Sequence, residues 1–546
     1  MISKVPGLWR LLVPEIAFVV FSVSLLAGLL AFAFRPRIYR LLEIPLVAGA
    51  VYFVAAIACL QYLLWVLGYL FIPTYSDHVE PTVAVVAELL LRGQQIYPSW
   101  RAGEGLYGMI YGPILYLIHA GPLLVSKSIF ATKIAGVLAV CGALIVVALE
   151  VWRLTRNIRI AVVAVGCTVL VLLKFGHFSF WNRPEPFLIL LSALTVPALR
   201  LRRYQAAVVI GLITGLAIGL KAHAALFYAP AILALMIREQ TFAAAFRVGA
   251  VAGVSAAAVA LAPFIYPNVS LSGYFEYLHL SVGHGISFKM FRNNAIHLAF
   301  MTAPAFVVYF LLRPNWSSDV RWFALTLLAC TVAVAVVGSK AGAGVHHLLP
   351  LLPFAVYMSV RAGDPDRRRT IPEIGNHAAL SFFILYLCVL APFALESAYW
   401  EDRRIIDSRS DRAVVQEAIT IYTAYPQAEM GVSDEDSYKW TAYRVAGVLR
   451  GTPVHLEIPY LMDLRAVDLG GSATEQLIED CKVPEWILPV DGVPFSKQNG
   501  YETGGALFSD KFREDFNKHY RTVFKGKYYA VWSCRGDVAG SSRDAK

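Results

Sequence analysis

Long apolar runs, with few of the polar interruptions that mark a half-buried helix or strand, set the pattern of this chain up to about residue 396. A membrane-spanning helix needs about 20 mostly apolar residues. Runs of that kind predict spans near 11–34, 45–72, 131–152, 160–177, 186–200, 205–220, 222–238, 247–266, 294–312, 320–338, 345–361 and 374–395, about twelve in all. The first run, Leu11–Phe34, exceeds the roughly 7–15-residue core of a signal peptide and is followed by Arg35, Arg37 and Arg40, so it predicts a retained anchor. Beyond Ala394 the pattern changes to short alternating segments. These predict strands at Glu429–Ser433, Pro453–Ile458, Glu485–Val490 and Lys527–Cys534, and helices at Tyr438–Arg450, Thr474–Cys481 and Lys511–Tyr520. Alternation of this kind argues for a small α/β domain with a partly parallel sheet. The predicted fold is therefore a polytopic α-helical membrane domain, 1–396, followed by a C-terminal soluble α/β domain, 397–546. Asp434, Glu435 and Asp436 read as solvated capping acids.

Composition supports this division. The 546 residues are 58% hydrophobic and 16% charged, against roughly 25% charged in soluble domains, which excludes a single soluble domain and a disordered chain. The net charge of +10 is unevenly spread: residues 1–396 hold 29 Lys+Arg and 15 Asp+Glu, and residues 397–546 hold 19 and 23. A basic balance can signal nucleic acid, but here the cations lie between apolar runs, which marks topology instead. With the connector Arg35–Arg40 taken as cytoplasmic, 17 basic residues fall in six short inside loops, and both termini lie on the non-cytoplasmic face of an inner (plasma) membrane. A crossing at Tyr107–Val125 would invert every later loop. That segment, with Pro113, Pro122, Gly108, Gly112 and Gly121, therefore predicts a juxtamembrane or re-entrant element. Seven cysteines form no CxxC pair; Cys481 and Cys534, both in the tail, can pair in an oxidising compartment.

The same topology gathers chemistry-bearing residues on the outside face, above all in a first outer loop, 73–130. Asp77 and Glu80 are three apart, so a helical turn would put both carboxylates on one face. Such a pair can act as general base or hold a divalent cation; a capped helix start at Ser76 or Asp77, with Pro81 in the first turn, fits the same residues. Trp181-Asn-Arg-Pro-Glu-Pro186 places Arg183 and Glu185 at a membrane boundary, where Arg183 suits a phosphate and where a salt bridge beside a Trp anchor is the plainer reading. Gly219-Leu-Lys-Ala-His223 offers Lys221 and His223, or a lysine snorkelling to headgroups. Ser339–Pro350 carries Lys340, His346 and His347; adjacent histidines point about 100° apart on a helix, which disfavours joint chelation of one metal. His284 sits between glycines in the loop 267–293. Tyr75, Tyr97, Trp100, Tyr107, Tyr111 and Trp181 share this side and can stack on sugars or form an interfacial belt. No GxxxxGK[ST], HExxH or GxSxG is present.

The order of these motifs resembles the GT-C superfamily of polytopic membrane glycosyltransferases, which includes protein O-mannosyltransferases and the aminoarabinose and galacturonosyl transferases of lipid A. The matching stretches are Tyr75-Ser-Asp-His-Val-Glu80, Leu90-Leu-Arg-Gly-Gln-Gln-Ile-Tyr-Pro98, Tyr111-Gly-Pro-Ile-Leu-Tyr116, Asn182-Arg-Pro-Glu185, Gly215-Leu-Ala-Ile-Gly-Leu-Lys221 and His347-Leu-Leu-Pro350, across about residues 45–360. The resemblance implies transfer of a sugar from a polyprenyl-phosphate donor to a lipid, glycan or protein acceptor of the cell envelope, on the non-cytoplasmic face, with inversion. It implies Asp77 as base or metal ligand, with Glu80 and Glu185 as supporting acids. It gives Arg183, Lys221, His346 or His347 the lipid phosphate or the acceptor, and His223 and Lys340 join them as substrate-binding candidates. The one cofactor it suggests is a divalent cation at Asp77 and Glu80. Membrane lipids are expected partners and nucleic acid is not. The chain departs from the pattern with His78 where many members carry a second acid, and with Glu185 where Asp is commoner. A glycolipid flippase is the alternative. Transporters place ionisable groups near the bilayer midplane and show internal repeats, whereas here the charges gather at one face.

Overall fold

A computed structural model describes residues 44–101, 105–108, 111–283, 285–298, 301, 318–340, 343–361, 383, 387, 390–391, 394, 397–408, 411–433, 443–469, 471–498 and 505–535. The expected span 11–34, most of 294–312 and 374–395, and the residues His284 and Asp434–Asp436 lie outside them. The chain divides into two compact units.

The first unit combines Met1–Gly68, Gly136–Leu261 and Ile286–Arg404. Among the described residues, five helices are long and apolar enough to cross a membrane: Pro45–Phe71, Ile129–Thr155, Ile158–Ser179, Arg203–Leu220 and Phe242–Ile265. Shorter apolar helices include Glu185–Ala198, Ala222–Ile237, Arg321–Val337 and Val345–Val360. The local sequence explains the boundaries. Asn157 caps the helix Ile158–Phe175 by accepting the Arg159 amide at 2.9 Å. Gly176 ends it at φ 62°, a left-handed conformation open to glycine at little cost, with its amide on the Leu172 and Leu173 carbonyls. Phe53, Leu138 and Val254 are exposed, as lipid-facing positions require.

Helix packing in this unit depends on missing side chains. A Cβ on Gly211 would sit 2.4 Å from the Ala252 carbonyl oxygen, and one on Gly215 2.4 Å from that of Ala256. The helices Arg203–Leu220 and Phe242–Leu261 therefore meet backbone to backbone along a GxxxG face. Gly136 likewise lets its helix approach the Trp181 carbonyl, which a Cβ would meet at 2.1 Å.

The second unit combines Tyr69–Ala135, Ala262–Gly285 and Ile405–Lys546. The segment 73–130 contributes the helices Glu80–Leu91 and Pro113–Val125; the latter has 13 residues, too few for a span, and contains Pro122. The mid-chain loop contributes Leu271–Val282. Parallel bridges Ile96↔Val269 and Leu106↔Leu456 join these segments to one another and to the tail. Tyr97, Tyr277 and Tyr460 are fully buried, and the Tyr277 and Tyr460 rings stack at 4.4 Å.

Tail residues form a four-stranded mixed sheet in the order β1-β2-β4-β3, from β1 (Glu429–Met430), β2 (Glu485–Pro489), β3 (Tyr520–Lys525) and β4 (Tyr529–Cys534). β1 and β2 are parallel; β2–β4 and β3–β4 are antiparallel. The segment Pro453–Ile458, expected as a strand, makes only the Leu456 bridge, and a helix begins at Ile458 with Pro459 in its first turn. Strand β3 and the helix Asp411–Ala424 were not expected. Cys481 and Cys534 form a disulfide, with Cα atoms 6.2 Å apart.

Candidate functional site

In the first unit, residues scattered over 170 positions of sequence converge on one buried carboxylate. Glu185 opens the helix Glu185–Ala198 between Pro184 and Pro186, so its carboxylate stands at the helix N-terminus and is fully buried. Lys221, released from helical geometry at the end of Arg203–Leu220, donates to Glu185 Oε1 at 2.8 Å. Trp181 Nε1 donates to Glu185 Oε2 at 2.9 Å. The Arg183 guanidinium lies 4.0 Å over the Trp181 ring and 3.2 Å from His346 Nε2.

The neighbouring histidines of the turn Val345–Leu351 face different partners, as adjacent residues of a tight helix must. His346 Nε2 is 3.9 Å from Glu185 Oε1, and its ring packs on Trp181 and Phe178. His347 Nε2 is 3.4 Å from Lys221 Nζ, while its Nδ1 is 3.3 Å from His223 Nε2, with the two imidazoles stacked. Lys340 is close enough to act electrostatically on Lys221 and His223. One carboxylate, Glu185, thus stands beside Lys221, Arg183 and His346, and Lys340, His347 and His223 join the cluster through Lys221. A buried cluster with that excess of cations favours an anion with several acceptor oxygens, such as a phosphate.

In the second unit, Asp77 and Glu80 do not share a helical face. The helix starts at Glu80, and Asp77 lies in the bend before it. Glu80 is fully buried and turns back on the loop: Oε1 accepts the Ser76 and Asp77 amides at 2.6 and 3.0 Å, and Oε2 accepts the Tyr69 hydroxyl. Asp77 accepts the Val79 amide at 2.5 Å and lies 3.6 Å from His78 Nδ1. Its side chain is 20% exposed, so of the pair it is the one a solute can reach. This arrangement does not fit a cation shared by both carboxylates, because Glu80 has committed its oxygens to loop donors. Among the described residues, no three His, Cys, Asp or Glu side chains group as metal ligands. Glu88 is held by Arg92 at 3.2 Å and Lys127 at 2.5 Å.

Two features of this unit went unread in the sequence. Lys133, buried near the start of Ile129–Thr155, donates to the carbonyls of Tyr69, Ile72 and Thr74 at 2.8, 2.9 and 2.5 Å. Its one available signal was a lone cation inside an apolar run. Thr82 donates to Glu457 at 2.7 Å, and Arg444 pairs with both. Burial holds the Glu457 carboxyl above the usual carboxylate range, opposed by the charge of Arg444. The aromatics considered for sugar stacking are mostly interior: Tyr75, Tyr97, Tyr107, Tyr111 and Trp181 are buried, and Trp100 is half-buried under Arg101.

The fold that these two units define has a known counterpart. The structure is similar to the crystal structure of ArnT from Cupriavidus metallidurans in the apo state, with a TM-score of 0.54 and 12% sequence identity, over 90% of this chain and 99% of that one. The chain therefore has the fold of that protein. No family model matches the sequence, and no curated protein is similar to it in sequence.

Proposed function

We propose that this chain is an integral-membrane glycosyltransferase of the GT-C type, with about twelve spans in the inner membrane and both termini on the non-cytoplasmic side. It moves a sugar from a polyprenyl-phosphate donor to an envelope acceptor, a lipid, glycan or protein. The observation that carries this reading is the buried Glu185–Lys221 pair with Arg183, His346 and His347 around it, set in an ArnT-like fold.

Each cluster has one assigned task. The cations Lys221 and Arg183, with Lys340, hold the donor phosphate and stabilise the charge that grows on it as the sugar departs. His346, His347 and His223 add neutral hydrogen-bonding groups. Glu185 keeps Lys221 and Trp181 in place, and Glu80 shapes the loop that carries Asp77. Asp77 takes the proton from the acceptor hydroxyl. The acceptor oxygen then bonds to the anomeric carbon from the face opposite the phosphate. The bond from that carbon to the phosphate oxygen breaks, its electron pair leaves with polyprenyl phosphate, and the configuration inverts. No step requires a metal ion.

Purified protein incubated with a polyprenyl-phosphate-linked sugar and an envelope extract tests the reading. The wild type is expected to transfer the sugar, and Asp77→Asn to lose about 100-fold or more in rate, as for removal of a general base. Full transfer by Asp77→Asn removes the base role. Movement of donor across a bilayer without consumption supports a flippase instead.

A further inference from the structure

The Lys133 ammonium occupies a site shaped for a bare cation. Three main-chain carbonyls converge on it, those of Tyr69, Ile72 and Thr74, at 2.5–2.9 Å. The faces of Tyr69 and Tyr75 lie beside it at 4.5 and 5.3 Å. The side chain is completely buried. Carbonyl oxygens and aromatic faces are the groups that replace water around a monovalent cation. Here the cation is covalently tethered to a helix. The carbonyls need a donor: Tyr69 lies in the last turn of Pro45–Phe71, where helix carbonyls lack intrahelical donors, and Ile72 and Thr74 belong to the loop that follows.

That loop leads directly to the acids. Tyr69, whose carbonyl and ring both meet Lys133, sends its hydroxyl to Glu80. Glu80 accepts the amides of Ser76 and Asp77. Thr132, the neighbour of Lys133, binds the Tyr75 hydroxyl at 2.8 Å. Tyr69, Ile72, Thr74 and Tyr75 are thus fastened directly to the start of Ile129–Thr155, and Ser76 and Asp77 are fastened to it through Glu80 and Tyr69. We infer that Lys133 is a positioning residue for Asp77: a built-in cation in a carbonyl cage that gives the first outer loop its working shape. This inference rests on the proposed base role of Asp77, but its structural half does not.

The test is chemical rescue of Lys133→Ala in the full-length purified protein. Hydrogen exchange at the amides of 70–80 and the rate of sugar transfer are measured with and without n-propylammonium or n-butylammonium chloride. Each lost bond to a charged group is worth about tenfold or more, so the amides are expected to exchange at least about tenfold faster and transfer to slow correspondingly. Alkylammonium is expected to restore protection and rate together, while tetramethylammonium, which lacks N–H donors, restores neither. Lys133→Met, which keeps the bulk and removes the charge, is expected to behave as Lys133→Ala without rescue. If either variant keeps wild-type protection at 70–80, or if alkylammonium restores neither readout, the inference is wrong. Should Lys133→Ala not fold without alkylammonium, folding in its presence but not in tetramethylammonium supports the cage, and folding in neither opposes it. If protection is rescued but even the wild type transfers no sugar, the cage stands and the glycosyltransferase reading fails.

Discussion

Substituting either member of the Glu185–Lys221 pair probes the centre of the cationic cluster. The two charges are 2.8 Å apart, and their side chains are 1% and 5% exposed. At an effective dielectric of about 20 their attraction is ~6 kcal/mol, much of it offset by the cost of taking both from water. Removing one partner leaves the other buried and uncompensated, at about 3–5 kcal/mol. The two single variants are expected to differ. Glu185→Gln leaves Lys221 and Arg183 without their shared carboxylate. Lys221→Met leaves Glu185 with the Trp181 donor and the charge of Arg183. Glu185→Gln is therefore expected to be the more destabilising, with a midpoint drop on the order of 10 °C in detergent, followed by tryptophan fluorescence. The double variant is expected to be more stable than the sum of the singles by about 2–3 kcal/mol. Additive effects, or a larger loss for Lys221→Met, would refute the pairing.

Three further outcomes follow from the packing and the tail. Gly215→Ala, whose methyl would meet the Ala256 carbonyl, is expected to destabilise by about 1–3 kcal/mol, whereas Gly253→Ala, with open space around it, is expected to be neutral or mildly stabilising; thermal midpoints of both variants check this. Reducing Cys481–Cys534, which closes a 53-residue separation, is expected to cost about 4 kcal/mol, and mass-shift alkylation is expected to find these two thiols blocked before reduction. His455, whose pKa is raised chiefly by its hydrogen bond to Glu429, is favoured in its charged form in the fold. Its contribution to stability is full below the unfolded value near about 6.5 and is lost as pH rises through the higher folded value. His455→Gln is expected to flatten the stability profile there, and an unchanged slope would contradict the linkage.

Several of the long apolar helices were legible because hydrophobic runs report a solvent, not a partner. The runs at 45–72, 131–152, 160–177 and 205–220 appear as helices close to their expected ends. Individual members of the cationic cluster were also legible, since Arg183, Lys221 and the two histidines interrupt apolar runs. Their pairing was not: Lys221 reaches Glu185 across 36 residues and His347 reaches His223 across 124. No local period encodes such separations. Asp77 and Glu80 show the limit of a spacing rule. Three residues apart puts two acids on one face only within a helix, and this helix begins at Glu80. Thr82 and Glu457, 375 positions apart, were beyond any local reading. The tail strand expected at Pro453–Ile458 was misjudged because alternation there serves single bridges and amide contacts to Glu429.

The most direct test of the central claim is the fate of the donor lipid. Purified wild-type protein in liposomes, supplied with a polyprenyl-phosphate-linked sugar and an envelope extract, would be followed by mass spectrometry. The expected result is loss of the glycosylated lipid and appearance of free polyprenyl phosphate, at a rate at least about 100-fold lower for Lys221→Met. A wild-type protein that leaves every such donor intact, or a Lys221→Met variant that consumes it at full rate, would contradict the claim.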